Sequence, residues 1–130
     1  IGLKQIKNIK QISLKRRKVF LNLNKYLKDS NNLLKPSKIT NKIVPFIYVI
    51  RLKKNRNKIM RFLKTKGIDT GIHWQPCHKF SKFKKSRSGN LQNTNKIGKQ
   101  VLTLPMYPQL KNNEIKKIGI QLERALKRFS

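Results

Sequence analysis

The chain is most distinctive at Gly67-Ile-Asp-Thr-Gly-Ile-His-Trp-Gln-Pro-Cys-His78, and a second unusual segment follows downstream, Leu102-Thr-Leu-Pro-Met-Tyr-Pro108. These segments bring two imidazoles, the single indole, the single thiol and three prolines into a chain otherwise dominated by Lys, Asn and Ile. Proline fixes its own backbone φ and restricts its neighbours, so the side chains beside it are held in place. We therefore expect a shaped site at residues 67–78.

The size and composition of the chain predict one domain with a real core. It has 130 residues, and its 37% hydrophobic content is too high for a disordered chain. A single cysteine excludes an internal disulfide. The longest apolar run, 43–50, is far too short to span a bilayer, and the first residues lack a secretory signal. We therefore predict a cytoplasmic protein with no membrane partner. Because the chain begins at Ile1, inside a predicted helix, we expect a fragment whose upstream part is missing.

The net charge of +29 indicates affinity for polyanions, but it does not by itself locate a binding site on the chain. Four carboxylates oppose 33 basic residues, which are spread along the whole chain, with dense clusters only at 15–18 and 82–87. Lys, Asn and Ile all have A/T-rich codons, so a genome-wide bias accounts for much of the charge. Solvated helix faces are favoured over a dedicated nucleic-acid surface. Nonspecific binding to polyanions in vitro is still expected.

Helices are predicted by apolar residues that recur at the helical period. A long helix covers 2–28 and carries two apolar stripes, which suggests that it packs against two partners. Asn55 is predicted to cap a helix that stops at Gly67, and Asn112 or Asn113 to cap a final helix. That final helix has one tight apolar stripe, formed by Ile115, Ile118, Leu122, Ala125, Leu126 and Phe129.

The remaining segments predict a small sheet. Residues 44–50 and 68–74 are predicted as strands and 101–104 as a short extended segment, whereas 29–41 is a polar connection. Residues 75–95 are predicted to be mostly loop, followed by one or two helical turns up to residue 100. The predicted fold class is α/β (an α+β small domain), with a long N-terminal helix, a short and mainly antiparallel sheet covered by helices, and a C-terminal amphipathic helix.

Several chemical roles remain open for the site at 67–78. His73 and His78 can donate hydrogen bonds to a phosphate or a sugar hydroxyl, or move a proton near neutral pH. Equally, they can serve only to satisfy backbone groups in a turn. Zinc binding by His73, Cys77 and His78 is a third alternative, although Pro76 breaks any helix that would align them and no fourth ligand has a recognisable spacing. Cys77 is a small turn residue more readily than a nucleophile, because nothing marks an orienting third group.

Four collinear segments resemble one enzyme family, the DegT/StrS nucleotide-sugar aminotransferases. The stretch from Gly67 to Ser81 resembles the family's small-domain segment, and 101–110 resembles its Leu-Ser-Leu-Pro-Leu-Tyr-Pro signature. Residues 1–17 resemble the long helix after the cofactor domain, and 46–63 the next strand and helix. The resemblance covers nearly all of the chain in the family's order.

The resemblance implies a fold, a reaction and a division of labour. Family members are pyridoxal-phosphate aminotransferases of the aspartate-aminotransferase fold, which transfer an amino group, typically from glutamate, to a keto sugar on a nucleoside diphosphate. The Schiff-base lysine lies in an upstream domain, so the resemblance places no catalytic residue in residues 1–130. It implies that His73, Trp74 and His78 line the sugar-nucleotide side of the cleft. It also implies a homodimer for the full-length protein.

Two other hypotheses about function are alternatives to the one that the resemblance implies. A basic nucleic-acid-binding protein would account for the charge, although the aromatic residues do not interleave with the basic runs. A truncated and poorly folding gene product would account for a first helix with two apolar faces and no neighbours. Neither alternative accounts for the residues at 67–78.

Overall fold

The computed structural model describes residues 2–28, 30–36, 39–40, 42–83, 85–86 and 89–129. Its elements, in chain order, are α1 (Gly2–Lys7), α2 (Ile9–Tyr26), β1 (Leu33–Leu34), β2 (Tyr48–Leu52), α3 (Arg56–Thr65), α4 (Gln92–Gln100), β3 (Val101–Leu104) and α5 (Asn112–Phe129). Two single-turn 3₁₀ helices, Cys77–Lys79 and Ser81–Phe83, lie between α3 and α4. Helices packed on a small antiparallel sheet confirm the predicted fold class. The features predicted at Asp29, Asn41 and Arg87 lie outside the described residues.

The sheet is antiparallel, with strand order β1-β2-β3. Tyr48 pairs with Leu104 at one end of the β2–β3 ladder, and Arg51 pairs with Val101 at the other. Successive side chains of a strand point to opposite faces, and β2 buries every second residue, namely Tyr48, Ile50 and Leu52. This face joins buried side chains of α2, α3 and α5 in one core.

The strand predictions were only partly correct. The strand predicted at 44–50 begins only at Tyr48. Pro45 has no N–H and cannot donate a hydrogen bond to a neighbouring strand. The strand predicted at 68–74 was wrong, since only Gly71 forms a bridge there, to Thr103. In the opposite direction, the predicted polar connection contains β1, whose Leu33 is buried and pairs with Leu52. A two-residue strand has too little sequence to show an alternating pattern.

The long N-terminal helix is interrupted and largely exposed. Asn8 is a turn between α1 and α2, where its N–H donates to the carbonyl of Gln5. Of the side chains predicted to pack, Val19 and Leu23 are buried, with Phe20 between them. Six large apolar or aromatic side chains of α1 and α2 are instead exposed: Leu3, Ile6, Ile9, Leu14, Leu21 and Tyr26. No helix within the described residues is long and apolar enough to cross a membrane.

The basic cluster at 15–18 has an internal structural role. The guanidinium of Arg17 donates to the carbonyls of Thr40 (2.8 Å) and Ile43 (2.5 Å), and that of Arg16 donates to the carbonyl of Phe46 (2.9 Å). Two cations of the cluster therefore hold the irregular connection before β2 against α2. Part of the high charge thus serves the fold itself.

The final helix is confirmed, but its predicted cap is wrong. α5 begins at Asn112, and the residue before it is Lys111, whose N–H donates to Oε2 of Glu114 at 2.8 Å. This reach of the third helical residue back to the cap residue is one half of a capping box. Asn112 instead accepts a hydrogen bond from the side chain of Asn22, 2.8 Å away on α2. The first residue of α5 therefore ties this helix to α2.

Gly119 lets α5 approach α2 closely. A Cβ atom at this buried glycine would lie 2.8 Å from the carbonyl oxygen of Tyr26, closer than real Cβ contacts. We predict that Gly119→Ala lowers the free energy of unfolding by about 1–3 kcal/mol, because overpacking outweighs the better helix propensity of alanine. Urea unfolding measures the change. Gly2→Ala is the matched control, since a Cβ there meets nothing within 4 Å; equal stability of both variants would contradict the prediction.

Candidate functional site

The candidate site is the segment 68–83, and its start is set by the end of α3. Gly67 has a φ of +69°, a left-handed conformation that glycine adopts without a steric penalty. Its N–H donates to the carbonyl of Lys64, and the N–H of Ile68 donates to that of Leu63, both at 3.0 Å. This is the Schellman arrangement, in which two terminal carbonyls of the helix are satisfied. Ile68 is buried in the core, and its burial fixes the direction in which the chain continues after α3.

Gly71 then fastens the segment to the sheet. Its N–H donates to the carbonyl of Thr103 at 3.0 Å, and its carbonyl accepts from the N–H of Thr103 at 2.8 Å. The imidazole of His73 folds back over Gly71, in the space that a Cβ atom would take. The absence of a side chain at Gly71 thus lets His73 lie against the backbone. Glycine at this position is needed for close approach.

His73 and Trp74 form one exposed aromatic pair. Their ring centroids are 5.5 Å apart and their planes are at 89°, an edge-to-face arrangement. The peptide bond between them is cis. Trp74 is 68% exposed although it is the only tryptophan of the chain. A large exposed indole beside an imidazole provides a flat apolar face together with a hydrogen-bonding group.

The second half of the segment is held by one face of α4. The ring of Pro76 lies over Gly98, where a Cβ atom would be only 2.7 Å from Cγ of the proline. His78 is half-buried in the first 3₁₀ helix, and its Nε2 lies 2.9 Å from Oδ1 of Asn95. Because an amide oxygen only accepts, Nε2 carries the proton and donates. Asn95 and Gly98 are three residues apart and therefore share a face of the helix.

The two histidines are thus in different surroundings. His73 contacts Gly71 and Trp74, whereas His78 pairs with a side chain of α4. Cys77 is exposed as a free thiol. Within the described part of the chain, no three His, Cys, Asp or Glu residues are grouped in a way that would hold a metal ion. The described residues therefore give the zinc alternative no support.

A cavity beside this segment was missed by the sequence analysis. We call it the basic groove; its volume is about 570 Å³. The residues that line it come from the β2–α3 connection and from α4: Leu52, Lys53, Lys54, Asn55, Arg56, Gln92, Asn95, Lys96, Lys99 and Gln100. Five of these ten carry a positive charge, and none is a carboxylate. A smaller cavity of about 290 Å³ lies next to it, beneath Gln75 and Pro76, and shares Arg56, Asn95 and Lys99 with the groove.

Arg56 and Gln100 line the groove, and Arg51 holds Gln100 in place. Arg51 donates to Oε1 of Gln100 from Nη2 at 2.8 Å and from Nε at 3.3 Å. Arg56 makes a long contact of 3.5 Å from Nη1 to the carbonyl of Val101, and its buried Nε has no hydrogen-bond partner within the described structure. Burial lowers the pKa of the Arg56 guanidinium, because a low dielectric disfavours its charge.

The fold is shared with sugar aminotransferases of known structure. It aligns with PseC of Helicobacter pylori, an aminotransferase involved in the biosynthesis of pseudoaminic acid, at a TM-score of 0.89 and 18% identity, over 98% of this chain and 36% of PseC. It aligns with DesI, determined in the presence of its TDP-sugar product, at a TM-score of 0.87 and 17% identity, over 98% of this chain and 34% of DesI. At these identities the likeness establishes the fold.

Sequence comparison establishes the family. The model of the DegT/DnrJ/EryC1/StrS aminotransferase family matches residues 1–123. The chain belongs to this family, which confirms the resemblance seen in its motifs. An uncharacterised protein of Methanocaldococcus jannaschii, MJ1066, is 25% identical over an alignment of 124 residues, gaps included, that covers 88% of this chain and 32% of that protein. The chain therefore spans about a third of the length of the relatives it matches.

The packing of His73 on Gly71 is tested by adding one methyl group. We predict that Gly71→Ala displaces the imidazole, and with it the adjoining indole, at a cost of about 0.5–1.5 kcal/mol. Because Trp74 is the only tryptophan, the shift in its fluorescence emission reports the movement directly. Gly89→Ala is the control, as a Cβ there meets nothing within 4 Å. An unchanged emission spectrum in Gly71→Ala would refute the arrangement.

The hydrogen bond between His78 and Asn95 is tested from α4. We predict that Asn95→Ala frees the 3₁₀ helix at 77–79 and accelerates hydrogen exchange of the Lys79 and Phe80 amides, which close that turn. The loss of one such hydrogen bond costs about 1 kcal/mol, and exchange is followed by NMR. The matched control is Asn93→Ala, which removes an exposed amide from the same helix. Equal exchange rates in the two variants would argue against the contact.

Proposed function

We propose that residues 1–130 are the C-terminal small domain of a pyridoxal-phosphate-dependent aminotransferase, which aminates a keto sugar linked to a nucleoside diphosphate, with glutamate as amino donor. The observation that carries this proposal is the family match over 1–123, combined with a chain about a third as long as its relatives. PseC and DesI share the fold; PseC is involved in the biosynthesis of pseudoaminic acid, and the product of DesI is a TDP-sugar. The cofactor-binding domain would then lie upstream of residue 1.

The proposed contact residues for the sugar nucleotide are His73, Trp74 and His78. Trp74 offers an exposed indole face, which suits stacking on a sugar or a base. His73 beside it provides a ring nitrogen for a hydroxyl or a phosphate oxygen. His78 has one ring nitrogen engaged by Asn95, which leaves Nδ1 available to a ligand. Two histidines fixed by different neighbours would orient a ligand at two points.

Two of the three carboxylates among the described residues, those of Glu114 and Glu123, are engaged within the fold and are not free to pair with pyridoxal phosphate. When bound, this cofactor supplies an electron sink, and its ring nitrogen needs an acidic partner. Glu114 accepts the N–H of Lys111, and Glu123 pairs with Lys127 and Lys28, which hold the pKa of its carboxyl below its ordinary value. Neither carboxylate lies among the residues that line the basic groove. We therefore propose that the cofactor is held mainly by a domain upstream of residue 1, and we assign no chemical step to this chain.

Two further properties follow from the proposed enzyme and remain predictions. The first is a homodimer of the full-length protein, since the resemblance places the active-site cleft near a dimer interface. The second is a cytoplasmic location, where nucleotide sugars are made and used.

The proposal is tested with the gene product that includes the coding sequence upstream of residue 1. This protein should bind pyridoxal phosphate and, with glutamate, convert a nucleoside-diphosphate keto sugar into the amino sugar, as detected by mass spectrometry. The panel contains uridine- and thymidine-diphosphate 4-keto sugars. An upstream stop codon, or a full-length protein that takes up no cofactor, would overturn the assignment.

The role of Trp74 is tested in the same protein. We predict that Trp74→Ala raises KM for the keto sugar about 5- to 30-fold and leaves KM for glutamate unchanged, because a lost stacking contact of about 1–2 kcal/mol affects only the sugar nucleotide. Phe46→Ala is the matched control: its ring is 60% exposed, and it belongs to the connection before β2 and not to the segment 68–83. An equal effect of both substitutions would contradict a specific role for the indole.

A further inference from the structure

Three exposed aromatic rings lie within ten residues of one another in the sequence. Trp74, Phe80 and Phe83 are 68%, 46% and 43% exposed. We call residues 74–83, which carry them, the aromatic–basic segment. Neither phenylalanine belongs to the hydrophobic core or to the partly buried side chains packed on it. The two phenylalanine rings are therefore available on the surface and do not stabilise the core.

Basic residues alternate with these rings. A lysine precedes each phenylalanine, as Lys79-Phe80 and Lys82-Phe83. The expectation that aromatic residues do not interleave with basic runs was therefore wrong for this segment. Residues 70–113 include no acidic residue, and within the described structure neither lysine forms an ion pair. The positive charge of the segment is thus not offset by a neighbouring carboxylate.

Consecutive turns fix this alternation in the backbone. The N–H of Lys79 donates to the carbonyl of Pro76 at 2.9 Å. The N–H of Phe80 donates to the carbonyl of Cys77, and that of Phe83 to the carbonyl of Phe80, both at 3.0 Å. Each hydrogen bond spans three residues, as in a 3₁₀ helix, and the rings and lysines recur at the same interval. The segment therefore carries one lysine and one ring in each of two successive turns.

Positive charge continues from this segment toward α4. Lys79 lines the cavity of about 290 Å³ beneath Pro76, together with Arg56 and Lys99. Proteins that bind single-stranded nucleic acid combine a basic surface, which follows the phosphates, with exposed rings on which the bases stack. Both components are present here and adjoin one another.

We propose that the aromatic–basic segment binds single-stranded nucleic acid. Bases stack on the rings of Trp74, Phe80 and Phe83, and phosphates pair with Lys79 and Lys82. Every base has a π-face, so this binding depends little on nucleotide sequence. It differs from attraction by net charge alone, because it requires rings at defined positions.

Two other polyanions fit the segment less well. A duplex keeps its bases stacked on one another, so that the rings cannot replace that stacking without opening the helix. An anionic membrane surface is bound by amphipathic helices whose apolar face enters the interface. The helices at 77–79 and 81–83 are single turns and offer no such face.

This inference goes beyond the proposed enzyme activity and does not depend on it. Trp74 takes part in both proposals, so a nucleic acid and a sugar nucleotide would exclude one another there. Phe80 and Phe83 separate the two, because neither is a proposed contact of the sugar nucleotide. Failure to bind nucleic acid would leave the aminotransferase proposal intact, since that proposal is tested by amino transfer in the protein that includes the upstream sequence.

Fluorescence anisotropy of labelled oligonucleotides mixed with the 130-residue chain tests the inference. The probes are an oligouridylate of about 12 nucleotides, its deoxy counterpart, and each strand annealed to its complement. We expect each single strand to bind at least about 5-fold more tightly than its duplex, although the duplex carries more charge. The order of the two single strands then identifies RNA, DNA or both as the ligand. Equal or tighter binding of the duplexes would overturn the inference.

Two double variants that each remove two exposed rings provide the sharpest comparison. Phe80→Leu with Phe83→Leu should weaken binding of the single strand about 5-fold or more, because stacking is lost and apolar character is kept. Phe46→Leu with Tyr107→Leu removes rings that are 60% and 43% exposed outside the segment, and it should leave the affinity nearly unchanged. Equal weakening in both would refute a specific role for the segment. Circular dichroism confirms that both variants fold.

A second pair of variants separates phosphate contacts from net charge. Lys79→Gln with Lys82→Gln should reduce the slope of log K against log salt by about 1.4, since two phosphate contacts of a single strand are lost. Lys4→Gln with Lys10→Gln makes the same change in net charge on α1 and α2 and should leave the slope nearly unchanged. Identical slopes for the two variants would indicate diffuse binding of polyanions over the whole surface.

An anionic membrane is distinguished with vesicles that contain phosphatidylserine. We expect Phe80→Leu with Phe83→Leu to bind these vesicles as the unmodified chain does. Loss of vesicle binding in this variant, with its affinity for the single strand unchanged, would assign the segment to membranes and overturn the inference.

Discussion

The pairing of β2 with β3 is the interaction on which the rest of the structure depends. β2 is the central strand, and its Tyr48, fully buried, donates from its hydroxyl to Oδ1 of Asn24 at 2.6 Å, which ties the sheet to α2. The edge of β3 that faces away from β2 pairs with Gly71 through two hydrogen bonds to Thr103. One ladder therefore positions both the helical layer and the candidate site. A shift by one residue would exchange the buried and outward faces of the strand.

The same pairing also fixes α4, which runs into β3 without a connecting residue, from Gln100 to Val101. The register of β3 thereby sets the rotation of the last turn of α4. That rotation brings Gly98 beneath Pro76 and Asn95 beside His78. The exposed histidine–tryptophan pair is held between two supports, the edge of the sheet and one face of a helix. A short segment with little regular structure is thus placed accurately by its neighbours.

Much of this organisation could be predicted from local sequence, and the rest could not for identifiable reasons. α5 was predictable because its apolar stripe repeats over 18 residues, and the end of α3 because Gly67 marks a left-handed cap. β1 has only two residues, and the segment at 68–74 meets the sheet at one bridge, so neither carries a reliable pattern of its own. The basic groove was not predictable, since its walls are about 40 residues apart in sequence. The family motifs identified the chain because their order spans several elements.

The exposed apolar side chains of α1 and α2 have a consequence for how copies of the chain behave toward one another. Leu3 and Leu14 are 79% and 67% exposed, and such surface favours self-association. The net charge of +29 opposes it, because like-charged molecules repel at distances of about a Debye length, roughly 10 Å at 0.1 M salt. Self-association of the chain is therefore set by two opposing effects: the positive charges repel other copies, and the apolar side chains of α1 and α2 attract them. Added salt shortens the reach of the repulsion and leaves the adhesion in place, so dilute, low-salt solutions favour separate molecules.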